Sequence, residues 1–159
     1  MGFFSKTAGK VLVTFLISMI PVIELRGAVP IGYGKGLNIW VCVIVSIIGN
    51  LIPAPFIIVF IRKIFSFLRK INPKFNGLVT RLEKRAENKS DVVKKYSFWG
   101  LFLLVAIPLP GTGAWTGALV AAMLDMRLKR AMPAIALGVV TAGVLVAFIT
   151  CGADALLFS

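Results

Sequence analysis

The sequence contains no histidine, only six acidic residues and only two cysteines among its 159 residues. Without histidine, the chain cannot form the Ser–His and Cys–His pairs of many nucleophilic enzymes, and it lacks the commonest zinc ligand. Cys42 and Cys151 each lie inside an apolar run without paired spacing, which argues against a disulfide scaffold. The glycines around Lys35, in "GYGKGL", do not complete the G-x-x-x-x-G-K-[ST] phosphate loop. We therefore expect no enzymatic activity, no metal and no other cofactor.

What the chain has in abundance is apolar residues. They make up 58% of the sequence, charged residues make up 15%, and the mean hydropathy is +0.94. A soluble domain of this length would need much more polar surface, so the composition predicts an integral membrane protein. We expect a single membrane domain over residues 1–159, located in the plasma membrane and crossing it more than once.

The net charge of +12 comes mostly from one segment. Eleven of the eighteen basic residues, but only three of the six acids, lie in residues 62–95. A basic segment between apolar runs is typical of a cytoplasmic loop, whereas a nucleic-acid-binding face would need a broader distribution of charge. The pattern predicts a cytoplasmic amphipathic linker at 62–95 beside anionic membrane lipids, and no nucleic-acid partner.

Three uncharged runs, of 26, 29 and 23 residues, occupy residues 36–61, 96–124 and 131–153. Each exceeds the roughly 20 residues that cross a bilayer. Prolines and glycines between Pro108 and Gly113 interrupt the middle run and favour a helix break there. Because both flanks of this run are basic, both should face the cytoplasm. We therefore expect a re-entrant hairpin that enters and leaves on the inner face.

The N-terminal segment resembles this second hairpin. Residues 11–20 form an apolar half-helix, and residues 21–30, bounded by prolines, form the predicted break. A full span with a central glycine follows each hairpin, and weak internal symmetry of this kind is typical of inverted-repeat transporters. We expect an all-α membrane protein in which a hairpin plus a span occurs twice in opposite orientations, as residues 1–61 and 96–159.

Glu24 and Arg26 are the notable charges, because a charge deep in a bilayer is costly without a partner or a wet cavity. One interpretation is an ion pair that pins the hairpin tip. The other is that Arg26 receives an anionic headgroup, since its planar fork suits phosphate, while Glu24 orients the substrate or exchanges a proton. The second tip offers threonine hydroxyls and free amides at a helix start, which attract anions or let helices pack closely. Asn50, at mid-span, could face a wet cavity or satisfy a carbonyl that a proline leaves free.

The candidate substrate-binding residues are therefore those of the two breaks and one mid-span amide. They are Pro21, Glu24, Arg26, Pro30, Asn50, Pro108, Pro110, Gly111, Thr112, Gly113 and Thr116.

The motifs "PVIELRGAVPIG" and "PLPGTGAWTGALVAAMLDM" resemble the small multidrug export protein family, which is similar to the DedA membrane proteins. The resemblance covers nearly the whole chain and is strongest from Glu24 to Pro30. It implies paired re-entrant hairpins, an essential acid at Glu24, and recycling of polyprenyl-phosphate carrier lipids or proton-dependent drug resistance. In DedA-like proteins the second hairpin usually carries arginines, whereas residues 108–113 have none.

Our interpretation is a small transporter that moves an anionic amphiphile, such as a polyprenyl-phosphate lipid, with protons as possible coupling ions. Two alternatives remain open: proton-coupled export of cationic drugs through Glu24, and a non-transporting scaffold that docks partners on its basic linker. Because so few full spans enclose little sealed pathway, we also expect a homodimer or a larger homo-oligomer.

Overall fold

Helices account for nearly all of the chain that the computed structural model describes, which is residues 2–71, 77, 90–109 and 112–157. The helices are α1 (Gly2–Met19), α2 (Glu24–Gly34), α3 (Ile39–Leu51), α4 (Pro53–Ile71), α5 (Ser90–Ala106), α6 (Ala114–Met123) and α7 (Leu128–Leu157). No strand occurs within these residues. The predicted all-α class is confirmed.

Two helical segments within the described residues are long and apolar enough to cross a membrane. They are Ile39–Ile64, with 26 residues, and Leu128–Leu156, with 29. The first joins α3 to α4 through Ile52, whose φ of −59° and ψ of −48° are helical, so Pro53 kinks the span without turning it back. These spans overlap the uncharged runs at 36–61 and 131–153 that the sequence predicted as crossings.

The predicted break in the middle run is confirmed, because α5 ends at Ala106 and α6 begins at Ala114. The first break is shorter than predicted. It covers only the residues between Met19 and Glu24, and Pro30 lies inside α2. Proline removes only one helical hydrogen bond, and burial of Leu25, Ala28 and Val29 holds α2 together around it.

The linker at 62–95 is helical at both ends in the structure. Arg62 to Ile71 continue α4, and α5 begins at Ser90. Residues 72–76 and 78–89 of the predicted amphipathic linker lie outside the described residues.

Small residues bring the helices close together. α6 buries four alanines against α4, α5 and α7, and α7 packs along α5. Gly49 on α3 faces the carbonyl of Phe15 on α1, and Gly138 on α7 faces the carbonyl of Phe102 on α5. Helices in a membrane associate largely through such close contacts, so both spans depend on a central glycine.

We predict that Gly138→Ala destabilises the protein. An added Cβ would lie 2.7 Å from the Cβ of Val105 and 3.0 Å from the carbonyl oxygen of Phe102. Overpacking of this kind costs about 1–3 kcal/mol, which lowers the thermal midpoint by roughly 2–10 °C in a chain of this size. Thermal unfolding in detergent measures the shift.

Gly152→Ala is the matched control on the same helix, because nothing lies within 4 Å of its added Cβ. We expect an unchanged or slightly higher midpoint, since alanine favours helix more than glycine does. Equal midpoints for the Gly138 and Gly152 variants would contradict the close packing of α7 on α5.

Candidate functional site

Glu24 is the first residue of α2 and one of the few buried polar side chains among the described residues, with 4% exposure. Its backbone is left-handed, with φ of 50°, and Val22 two residues earlier has φ of 84°. Such backbone costs about 1–3 kcal/mol per non-glycine residue and persists only when surrounding contacts hold it. The turn before α2 is therefore fixed by what Glu24 contacts.

The Glu24 carboxylate binds the N-terminus of α6. Its Oε1 accepts a hydrogen bond of 3.1 Å from the backbone N–H of Trp115, and the amide of Ala114 also interacts with it. The first amides of a helix lack partners within the helix and carry the positive end of the helix dipole. Glu24 thus supplies a carboxylate cap to a helix start that the sequence predicted as an anion site for substrate.

Gly113, directly before α6, makes this contact possible. Its φ of 156° and ψ of −165° lie in a region that is essentially restricted to glycine. A Cβ at this position would overlap the Glu24 carboxylate. Gly113 is therefore required both for the backbone turn and for the close approach of the acid.

Arg26 binds the opposite side of the same break. Its Nη1 donates to the carbonyl of Leu109 at 2.6 Å, and its Nη2 donates to the carbonyls of Ile107 at 2.9 Å and Val105 at 3.4 Å. Val105 lies in the last turn of α5, and Ile107 and Leu109 follow the end of the helix, beside the negative end of its dipole. Thr112 adds its hydroxyl, which donates to Ile107 and Leu109.

The two charges of the first motif therefore serve the two helix ends of the second break. A direct Glu24–Arg26 ion pair, one of the two predicted interpretations, is not found. The ion pair present among the described residues joins Arg62 to Asp125, with Nε and Oδ1 3.6 Å apart. Each charge is matched instead by backbone groups on a segment about 80–90 residues away.

Arg26 also lines a cleft of about 460 Å³ between α2, the second break and the end of α7. Most of the lining is apolar. At its polar end, the Tyr33 hydroxyl donates a 3.0 Å hydrogen bond to Oδ2 of Asp154. The cleft residues are Arg26, Pro30, Tyr33, Gly34, Pro108, Val146, Ile149, Thr150, Ala153 and Asp154. This shape and lining suit an amphiphile with one charged group.

The structure brings most of the predicted site residues to the two breaks. Asn50, with 1% exposure, lies beside the Glu24 carboxyl, and Pro30 and Pro108 line the cleft. Pro21 lies exposed in the first break, and Thr116 is half-buried on α6. Pro110 and Gly111 are outside the described residues. Whether these residues bind a substrate stays a prediction.

Sequence reasoning missed Trp115. Besides its amide bond to Glu24, its indole Nε1 donates to the carbonyl of Met19 at 3.2 Å, which ties α6 to the end of α1. It also lines a groove of about 740 Å³ along α4, from Pro53 to Lys63. The available signal was a tryptophan placed inside an apolar run, away from the interfacial positions where this residue is common.

Two apolar helices of membrane-spanning length, together with a buried acid and a half-buried arginine that hold a helix break, are the features expected of a small helical membrane protein. Residues 24–145 match the family described as "Putative small multi-drug export protein". The match covers more than half of the chain and starts at Glu24, so the chain belongs to this family. Comparison with curated proteins and with solved structures gives no match. The family and the spans together indicate a membrane protein of the export type.

We predict that Gly113→Ala dislodges Glu24 from α6. The added methyl group overlaps the carboxylate, and alanine cannot adopt the Gly113 backbone without strain. We expect a loss of about 2–4 kcal/mol, of which roughly 1 kcal/mol or more is coupling to Glu24. A double-mutant cycle with Glu24→Ala measures this coupling by chemical unfolding in micelles.

The control is Gly100→Ala on α5, because Gly100 has nothing within 4 Å of an added Cβ. This change should be nearly neutral in both the wild-type and the Glu24→Ala backgrounds. Strict additivity of Gly113→Ala and Glu24→Ala would show that the two residues do not share one site.

Proposed function

We propose that the protein is a multi-pass transporter of the plasma membrane that moves an anionic amphiphile, with a polyprenyl phosphate as the substrate class. Arg26 binds the phosphate, and Glu24 couples its movement to a proton. The observation that carries the proposal is the position of Arg26, at the wall of an apolar cleft and on the carbonyls of a helix break. A guanidinium in this position is available to an anion whose tail lies in the cleft.

The proposed architecture is an inverted repeat of a re-entrant hairpin and a span. α2 has 11 residues and α6 has 10. At 1.5 Å per residue, each covers about half of the roughly 30 Å hydrocarbon core. Basic residues flank the α5–α6 segment on both sides, which supports a return to the cytoplasmic face.

Matching contacts in the two halves support the repeat. Phe102 lies 87 residues after Phe15 and Gly138 lies 89 residues after Gly49, and in each half the glycine faces the phenylalanine carbonyl. These pairs preserve one contact between the first helix of the hairpin and the span. Chance similarity in glycine-rich sequence would not be expected to preserve it.

The turns that lead into the two spans also match. The Leu37 N–H donates to the carbonyl of Gly32 at 3.2 Å, and the Met126 N–H donates to the carbonyl of Ala121 at 2.9 Å. Both pairs are related by 89 residues, as are the starts of α3 and α7. In both turns the residue before the donor has positive φ, 82° at Gly36 and 50° at Asp125.

Two cavities support a transport pathway, one at Arg26 and one at Trp115. The cleft at Arg26 ends at Tyr33 and Asp154, and the groove at Trp115 extends to Lys63. By the positive-inside argument, Lys63 lies at the cytoplasmic face and the Tyr33–Asp154 pair at the outer face. The contacts of Glu24 and Arg26 with the second break then form the barrier between two half-pathways.

The proposed mechanism is the exchange of partners at this barrier. A phosphate oxygen competes with the carbonyls of residues 105–109 for the Arg26 fork, since a charged acceptor binds guanidinium more strongly than a neutral carbonyl does. Protonation of Glu24 removes the negative charge from the start of α6 and weakens that contact. Both events weaken the contacts that join the first hairpin to the second break.

The proposed relation to DedA proteins rests on the first motif. Their second hairpin usually carries arginines, which residues 108–113 lack. Here Arg26 reaches across to that break and places a guanidinium there from the first hairpin. We also propose a homodimer or a larger homo-oligomer, because the two long spans found in the described part of the chain enclose little pathway.

A second candidate is proton-coupled export of cationic amphiphiles. The family description favours drug export, and Asp154 places a carboxylate on the Arg26 cleft. In this case Glu24 or Asp154, not Arg26, would bind the substrate charge. The two candidates therefore differ in their dependence on Arg26.

We predict that Arg26→Gln lowers uptake of a labelled polyprenyl phosphate into proteoliposomes by at least about tenfold, which corresponds to about 1.4 kcal/mol. Arg26→Lys should recover little, because an ammonium lacks the planar fork that binds two oxygens at once. Glu24→Gln should remove the response to a proton gradient. Monodisperse elution and the unfolding midpoint of each variant report on folding.

Arg130→Gln is the matched control, since Arg130 is exposed at the start of α7 and lies away from the cleft. We expect uptake within about twofold of wild type, the range for a charge outside the site. If the Arg26→Gln variant takes up the labelled polyprenyl phosphate at the wild-type rate, the proposal is wrong. Loss of cation export with Asp154→Asn, and not with Arg26→Gln, would favour drug export instead.

A further inference from the structure

The buried polar side chains on α3 form no hydrogen bond of ordinary geometry. Asn50 is 1% exposed and Ser46 is fully buried. Neither polar atom of the Asn50 amide, nor the Ser46 hydroxyl, has a hydrogen-bond partner in the described part of the chain. Buried polar groups in folded proteins nearly always bind protein, water or an ion, because an unpaired group forfeits its hydration. Two such residues in a membrane span therefore point to a ligand.

Asn50 lies beside Glu24, and Ser46 lies one helical turn earlier on the same face of α3. The Asn50 amide interacts with the Glu24 carboxyl without forming a hydrogen bond of ordinary geometry. Arg26 is turned toward the α5 carbonyls, so it leaves the Glu24 charge without a salt bridge. The cluster offers carboxylate, amide and hydroxyl oxygens with one negative charge.

The prolines that follow Asn50 leave nearby backbone oxygens of the span without helical donors. Pro53 and Pro55 have no N–H, so the carbonyls of Gly49 and Leu51 lose the donors that a regular helix would give them. In transporters, backbone carbonyls at interrupted helices near the midplane are typical ligands for coupling cations. Asn50 lies between these two carbonyls in the sequence.

We propose that Glu24, Asn50 and Ser46 bind a sodium ion, together with the carbonyl of Gly49. An all-oxygen donor set selects a hard cation, and a single carboxylate suits a monovalent ion better than Ca²⁺ or Mg²⁺, which favour more carboxylates or retained waters. The proposal rests on the proposed function in treating Glu24 as the coupling group. A sodium ion and a proton would compete for that carboxylate.

The test is thermal unfolding of the full chain in nanodiscs, in NaCl and in choline chloride at equal ionic strength. We expect sodium to raise the midpoint by roughly 3–6 °C, since a ligand that binds only the folded state stabilises it. Asn50→Ala should reduce this sodium-dependent increment to within about 1 °C, and Ser46→Ala should reduce it in part. Each variant is judged by the difference between its unfolding midpoints in NaCl and in choline chloride. A variant that is less stable in both salts therefore does not change the outcome.

Asn50→Asp adds a second carboxylate and should enlarge the sodium increment, which a purely structural role for Asn50 would not do. Ser66→Ala is the control for Ser46→Ala, because Ser66 is exposed on α4. No sodium increment in the wild type, as for a site that holds only water or only a proton, would overturn the proposal. So would a full increment in Asn50→Ala.

The outcome is separable from that of the proposed function. A missing sodium increment alongside Arg26-dependent uptake of polyprenyl phosphate would refute the cation site alone. A sodium increment without any such uptake would support the cation site and refute the assigned substrate.

Discussion

The fold depends on how two helix ends are satisfied within an apolar core. α5 ends and α6 begins inside one hydrophobic run, which removes the helical donor from the Val105 carbonyl and leaves the amides of Ala114 and Trp115 without helical acceptors. If the break lies within the bilayer, as the proposed re-entrant hairpin requires, no water is available to these groups, and each one left unpaired costs several kcal/mol. Arg26 covers the carbonyls and Glu24 covers the amides. The charges and the helix ends thus remove each other's burial cost, which explains why an acid and an arginine occur two residues apart in so apolar a chain.

The division of roles between the halves is unequal. The buried polar side chains of the described residues, Thr14, Ser18, Glu24, Ser46 and Asn50, all belong to the first half. Under the proposed repeat, the positions 89 residues after Glu24, Ser46 and Asn50 are occupied by Gly113, Ile135 and Val139. The first half therefore provides the charged side chains. The second half provides the helix ends that bind them, and Gly113, which leaves room for the Glu24 carboxylate. The described residues thus hold one buried polar cluster, in the first half, although the proposed architecture repeats.

Sequence patterns predicted the features that depend on local chemistry. Proline and glycine between Pro108 and Gly113 indicated the second break, uncharged runs indicated the spans, and the cost of buried charge identified Glu24 and Arg26. The partners of these charges were not predictable, because they are backbone groups about 80–90 residues away and carry no side-chain signal. Pro30 was assigned to a break for the related reason that proline propensity is local, whereas the packing that keeps α2 helical is tertiary.

In the proposed transport cycle, the contacts of Glu24 and Arg26 with the second break form the barrier, and their chemistry determines how that barrier can move. A covalent or well-packed apolar contact would have to be broken outright before the hairpins could separate. A carboxylate on amides and a guanidinium on carbonyls can instead exchange one partner for another. Under the proposed function, a proton or cation would bind the carboxylate and a phosphate would bind the guanidinium. The charge remains matched in both arrangements, so neither state exposes a bare ion to lipid. Binding of the transported species then shifts the population of two arrangements by its differential affinity for them, which is the requirement for coupled movement across a membrane.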